Sequence, residues 1–218
     1  MEMTEKLQQK INNGREYRSM MMDVAEQKDF TVVGYATTFD EPYHLYFDGK
    51  GREVKEEVSR DAFLNTDMSD VIMQYDHEGR VFARISNDTL KLETDEHGLK
   101  VTANLGGTEI GRNLYEEIKG GYTNKMSFGF TVANDKVERD GDGFLRSILS
   151  VGKLFDVSAV SLPANNLTEI SARSHIDGAI DEIDEEIRQR EEQERLVAEK
   201  RESLAERLKA LKGETNGN

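Results

Sequence analysis

The sequence predicts a mainly β chain carrying a few helices, an α+β class, that ends in one long helix. Three observations predict it. Between Phe30 and Ser174, short runs of β-branched and aromatic residues alternate with polar ones and are separated by turn residues. Inside that region, Gly107–Gly121 spaces its apolar residues at helical rather than alternate intervals. From Ile176 onward, apolar residues recur at alternating steps of four and three among charged ones.

In chain order, residues 1–28 read as a polar N-terminal arm or lead-in strand with a methionine cluster at Met20–Met22. Residues 29–174 read as the compact domain, opened by the strand "FTVVGYATTFD". "SRDAFLNT" offers a short helix that would tuck Ala62 and Phe63 inward. Leu90 and Leu92 alternate up to a polar Asp95–Gly98 turn, and Leu99, Val101, Ala103 and Leu105 alternate away from it, which reads as a hairpin. In "GTEIGRNLYEEIKGG", Thr108 is placed as N-cap, Ile110, Leu114 and Ile118 share a face, and Gly120-Gly121 stop the helix. "NDKVERDGDG" reads as a polar turn between "MSFGFTV" and "FLRSILSVGKLFDVSAVSL". Many short strands with one or two helices predict a small β-barrel flanked by helices, with a two-layer α+β arrangement as the alternative.

Residues 175–212 read as a coiled-coil helix. The seam is Ile176, Ile180, Ile183, Ile187, Arg190, Glu194, Val197, Arg201, Leu204, Leu208 and Leu211, apolar except at Arg190, Glu194 and Arg201. A single charged helix lying on the domain is the alternative. Residues 213–218, within "KGETNGN", read as a disordered tail.

Composition narrows the function. A net charge of −14 argues against nucleic-acid binding, because a phosphate backbone would repel the chain. There is no cysteine, which excludes disulfides, thiolate catalysis and cysteine metal sites. No apolar run is long enough to span a membrane and no signal peptide is evident, so a cytoplasmic protein is expected. "DGDG" at Asp140–Gly143 lacks the later ligands of a calcium loop and reads as a solvated turn. "LGGTEIG" lacks the lysine of a phosphate loop. No cofactor is expected.

The chemistry concentrates around "NKMSFGF". On a strand, Met126, Phe128 and Phe130 share one face, and Ser127 and Gly129 share the other with almost no bulk. Either a neighbour runs close over the glycine, or Ser127 is presented bare with room for a substrate chain above it. Of the four histidines, His44, His97 and His175 lie in polar or loop surroundings, whereas His77 ends the apolar strand "DVIMQYD". Asp156 interrupts the apolar "GKLFDVSAVSLPA", where a carboxylate must find a partner or cost several kcal/mol. Ser127, His77 and Asp156 are therefore candidates for a nucleophile, a base and its orienting acid.

Five segments carry a resemblance: "GYATTFD", "VIMQYDHEGRVFAR", "LKLETDEHGLKVTANL", "GRNLYEEIKGGYTNKMSFGFTV" and "LFDVSAVSLPANNLTEISARS". In this order they resemble the prohead maturation proteases of tailed bacteriophages, of the HK97 type. The resemblance implies a serine protease with a fold similar to herpesvirus assemblin, a β-barrel with surrounding helices. It implies His77 as the base, with Ala83-Arg84 where the family has Gly-Arg, and Ser127 of Met-Ser-Phe-Gly-Phe as the nucleophile. Asp156 stands where the family usually has glutamate. The implied substrates are phage scaffold, the scaffold-like N-terminal part of the major capsid protein, and the protease itself, cut inside the assembling prohead in the host cytoplasm. The heptads suggest self-association or recruitment into the shell, and "SARSHIDG" is the expected self-cleavage region. The rival readings are a non-enzymatic assembly protein that uses the coiled coil for binding, and a small-ester or amide hydrolase.

Overall fold

In the computed structural model, which describes residues 9–10, 13–21, 30–161 and 169–214, two long strands organise the domain. β9 (Lys125–Asp140) and β10 (Gly143–Val160) pair antiparallel around a turn at Gly141, whose φ of 59° suits glycine. The opposite edge of β10 serves two partners in parallel. Phe144–Ile148 pair with β4 (Glu53–Val58), and Asp156–Ala159 pair with β5 (Ile72–Tyr75). Between these two stretches the β9–β10 register shifts repeatedly from Ile148 to Asp156. Such bulges bend a strand, so one strand can turn from one partner to another. β3 (Tyr43–Phe47) pairs with β4, and β6 (Glu78–Arg84) pairs with β5. β1 (Glu16–Met21) covers the outer edge of β9, with Ser19 opposite Ser127 and Tyr17 opposite Gly129.

These seven strands form one sheet, and β2 (Thr31–Thr38), β8 (Gly98–Asn104) and β7 (Leu90–Thr94) form a second, in that order. Alternation along the strands brings both sheets to one core. Val32 and Ala36 of β2 and Leu99, Val101 and Ala103 of β8 join Met126, Phe128 and Phe130 of β9. Each such large side chain stabilises the fold by about 1.5–3 kcal/mol on burial. α1 (Glu109–Lys119) begins where the Thr108 side chain accepts from the Gly111 amide at 3.1 Å, and it adds Leu114 and Ile118 to the core.

The architecture is mixed α+β and mostly strands, but it is not the closed barrel expected from the strand count. Among the described residues the strands fall into two sheets, because β10 divides its free edge between β4 and β5 and the sheet branches instead of closing. "SRDAFLNT" folds into successive turns rather than a helix, with bonds Ala62 N–Ser59 O, Leu64 N–Asp61 O and Thr66 N–Phe63 O. It still buries Ala62 and Phe63. The polar "NDKVERDGDG" is strand through Asp140. The expected turn is confined to Gly141-Asp142, and the polar residues before it lie on the solvent-facing outer end of the hairpin.

α2 (Glu169–Glu214) starts ahead of the first heptad position. The chain divides into two compact units, Met1–Ile176 and Asp177–Asn218. In the second, exposed pairs such as Arg188–Glu185 at 2.6 Å and Arg195–Glu192 at 2.8 Å line the helix, each worth only about 0.3–0.5 kcal/mol. Leu196, Val197 and Leu204 are exposed there. Gly213 and Glu214 of the predicted tail belong to α2, whereas residues 215–218, residues 1–8, 11–12 and 22–28 of the predicted arm, and the side chains of Leu208 and Leu211 lie outside the described residues. Among the described residues, no helix is long and apolar enough to cross a membrane.

A buried ionic network ties β1 into the larger sheet. Arg18 reaches Glu56 through Nε at 2.5 Å and Nη2 at 2.8 Å, and Glu16 through Nη2 at 2.8 Å. Arg146 reaches Glu16 at 2.8 Å, Glu56 at 2.9 Å and Asp135 at 2.6 Å, and the Tyr43 hydroxyl donates to Glu56. Burial disfavours the charge on Glu16, but Arg18 and Arg146 outweigh it and hold the carboxyl below its ordinary range. Arg146→Ala removes a cation from between carboxylates that remain buried, and it is expected to destabilise the domain by roughly 3–5 kcal/mol. A chemical denaturation midpoint equal to that of the unaltered protein would show that the network does not hold β1.

Candidate active site

The sheet register sets out the site before any side chain is considered. On β10, Asp156 lies opposite Gly129 and Ser158 opposite Ser127. On the next strand, Ile72 and Gln74 stand beside Asp156 and Ser158. The polar face of β9 thus continues across β10 to β5. The β5–β6 hairpin closes with a two-residue turn, Asp76-His77, and Tyr75 is paired with Glu78. Both turn residues are left-handed, with φ of 48° and 61°. That is the conformation a tight hairpin of this length requires, although glycine is the usual occupant. Asp76 anchors the turn to the end of β10. Its amide donates to the Ala159 carbonyl at 2.9 Å, and its carboxylate accepts from the Ser161 amide at 2.9 Å. Lys10 adds a bond from Nζ to the His77 carbonyl at 2.7 Å.

His77 is thereby turned toward the strand face. Its Nε2 lies 2.7 Å from Ser127 Oγ, and its Nδ1 lies 2.5 Å from Asp156 Oδ1. Residues 50 and 79 positions from His77 meet in one line. The Ser158 hydroxyl donates to the same Asp156 oxygen at 2.9 Å. An ionised carboxylate only accepts, so Nδ1 carries the imidazole proton and Nε2 presents its lone pair to the Ser127 hydroxyl. Asp156 is ionised for a definable reason. Burial pushes its carboxyl up, but the hydrogen bond and charge of His77, the Ser158 hydroxyl and the Arg15 guanidinium outweigh burial and hold it below the usual carboxylate range.

The face over Ser127 is occupied. Of the two readings of this face, the structure takes the close neighbour: Ser127 is 0% exposed, Asp156 1% and His77 4%. A Cβ on Gly129 would lie 2.6 Å from Asp156 Oδ2 and 2.7 Å from Tyr17 Cε1. The glycine therefore makes room for the carboxylate and for the Tyr17 ring, which in turn rests 4.2 Å from the His77 ring. Outside this packing, a cleft of about 510 Å³ opens beside the His77 turn, between Tyr75, Arg80 and Phe82 of the hairpin and Ile110 and Leu114 of α1.

The structure brings Ser127, His77 and Asp156 together. The other histidines stay apart from them: His44 pairs with Glu53 at 3.1 Å, His175 with Asp135 at 3.2 Å, and His97 packs on the Tyr35 ring at 4.5 Å. Among the described residues, no group of three or more histidines and acids is placed to hold a metal. Four contributors were not singled out from the sequence. Ser158 was legible, being two residues from Asp156 on a strand and so on the same face. Asp76, Arg15 and Tyr17 carry no local signal, since their contacts arise from a turn anchored to a distant strand and from an N-terminal strand.

A hydroxyl, an imidazole and a carboxylate in one hydrogen-bonded line is the arrangement that serine hydrolases use. The chain belongs to the caudovirus prohead serine protease family, whose model matches residues 16–181, and it is accordingly a serine peptidase of prohead maturation. No curated protein matches it, and no solved structure does.

The lowered Asp156 carboxyl has a pH signature. Its folded-state pKa lies below the unfolded value near ~3.9, so its contribution to stability is full above about pH 4 and is lost as pH falls through the folded value. Urea unfolding at pH 7 down to pH 3 is expected to show a gap between the unaltered protein and Asp156→Asn that narrows below about pH 4. A gap that widens there would contradict the assignment.

Proposed function

We propose that Ser127, His77 and Asp156 cut peptide bonds in phage scaffold, in the N-terminal segment of the major capsid protein and in the protease itself, inside the assembling prohead. The observation that carries this reading is the 2.7 Å and 2.5 Å line through the imidazole. Ser127 Oγ attacks the scissile carbonyl as its proton passes to His77 Nε2. Asp156 holds the imidazole in the required tautomer and stabilises the imidazolium that forms. His77 then returns the proton to the leaving amine, and water attacks the acyl-enzyme by the same path in reverse. Ser–His acyl transfer of this kind calls for no metal or cofactor. Complete burial of Ser127 suits an enzyme held closed until assembly moves the packed groups aside.

Residues 29–174 are the protease domain in this proposal, and the kinship with herpesvirus assemblin that the resemblance implies belongs to it too. Intact mass spectrometry after co-expression with capsid and scaffold proteins tests it. The unaltered chain is expected to give discrete cleavage products, and Ser127→Ala none. Equal products from both would end the serine-protease assignment of Ser127, and no products from either would favour a non-enzymatic assembly role.

The heptads of residues 175–212 join a second copy or a helical scaffold as a coiled coil. The exposed Val197 and Leu204 support this, because both sit on the predicted seam. Val197→Asp with Leu204→Asp is expected to lower the sedimentation-derived mass of the purified chain, or its incorporation into proheads, while leaving the domain folded. No change in either property would remove the coiled coil.

A further inference from the structure

Asp156 spends only one of its carboxylate oxygens on the histidine. Oδ1 takes the His77 Nδ1–H and the Ser158 hydroxyl, whereas the buried Oδ2 has no hydrogen bond. The cation set against Oδ2 is the guanidinium of Arg15, with Nη1 at 3.5 Å. Arg15 is held there by the Phe155 ring, 3.6 Å from its Cζ, and by its place directly before β1. The strand itself is fixed by Glu16 and Arg18 in the buried network and by Tyr17 packed on His77. Arg15 also precedes the first residue that the family model matches.

We propose that Arg15 is a positioning residue of the site, acting through Asp156: its guanidinium holds the buried Oδ2 on the side away from His77 and so keeps Oδ1 aimed at the His77 Nδ1–H. The inference rests on the Ser127–His77–Asp156 reading. The groups that face His77 and Asp156 are Ser127 from β9, Ser158 from β10, the Tyr17 phenol from β1 and the Lys10 ammonium on the His77 carbonyl, with Glu78 acting on the Tyr17 phenol. A buried carboxylate oxygen left without a partner costs free energy that rotating the group toward another donor would recover. An arginine charge on the far oxygen removes that incentive without touching the imidazole.

The test is the NMR signal of the His77 Nδ1 proton at fixed neutral pH in the full-length chain labelled at histidine, assigned by comparison with His77→Gln. Arg15→Gln is expected to move this downfield signal upfield or lose it to exchange with water, while Arg15→Lys, which restores the charge, stays near the unaltered protein. Should Arg15→Gln not fold, Arg15→Met keeps the packing over Phe155 and is read in the same way. A signal that is unchanged without the arginine charge overturns the proposal, as does a change that Arg15→Lys fails to reverse. The catalytic reading fails separately, if Ser127→Ala still cleaves, so the two failures are distinguishable.

Discussion

The space over Gly129 is the constraint on which the site depends. Because that residue has no side chain, the Asp156 carboxylate and the Tyr17 ring both come within what would be Cβ contact, one from each neighbouring strand. A methyl group there would displace one or the other, and either displacement reaches His77. Asp156 holds its Nδ1, and Tyr17 lies against its ring. The small residue two positions after Ser127 therefore sets the position of the base more than it sets that of the serine. It also explains why the polar face of β9 is poor in bulk: the bulk arrives from β1, β10 and the β5–β6 turn.

Strand β1 has an energetic problem of its own. It is an edge strand, and such strands hold weakly unless something beyond the ladder ties them down. Here two guanidinium groups and two glutamates are buried together, with Tyr43 and Asp135 completing their bonds. The desolvation of four charges consumes much of their mutual attraction, so the network adds little net stability compared with an apolar filling. What it adds is register. Glu16 and Arg18 find their partners only when Tyr17 stands opposite Gly129, since a one-residue slip would point both charges to the other face. The ionic network and the packing over Gly129 thus specify the same alignment.

Local features of the fold were legible where a short stretch of chain determines them. The β7–β8 hairpin follows from alternation on both sides of an Asp-capped turn, and α1 from its Thr108 cap and three apolar residues. Asp156 was legible for an energetic reason, because an acid within an apolar strand must find a partner. The departures have non-local causes. Whether the described strands close or branch is decided by which edge of β10 meets β4 and β5, and alternation does not encode that. Polar residues in "NDKVERDGDG" signal exposure, and exposure is common to turns and to the outer end of a hairpin. The face over Ser127 was ambiguous because low bulk on a strand is compatible with an open surface or with a close neighbour, and the neighbour here is some 110 residues away in sequence.

The position of His77 shows how the parts are referenced to one another. A histidine on a regular strand would be held by its ladder, but His77 sits in a left-handed turn whose non-glycine residues cost on the order of 1–3 kcal/mol each. The turn persists because Asp76 is tied to Ala159 and Ser161, at and just past the end of the strand that carries Asp156 and Ser158. Ser127 is referenced to that same strand through its pairing with Ser158. Serine, imidazole and carboxylate are therefore all measured from the final third of β10, and a shift of that strand moves the three together instead of pulling them apart. A base on a strained turn would otherwise be the least precise member of the line. Anchoring the turn to the acid's own strand makes the 2.5 Å and 2.7 Å contacts two consequences of one placement.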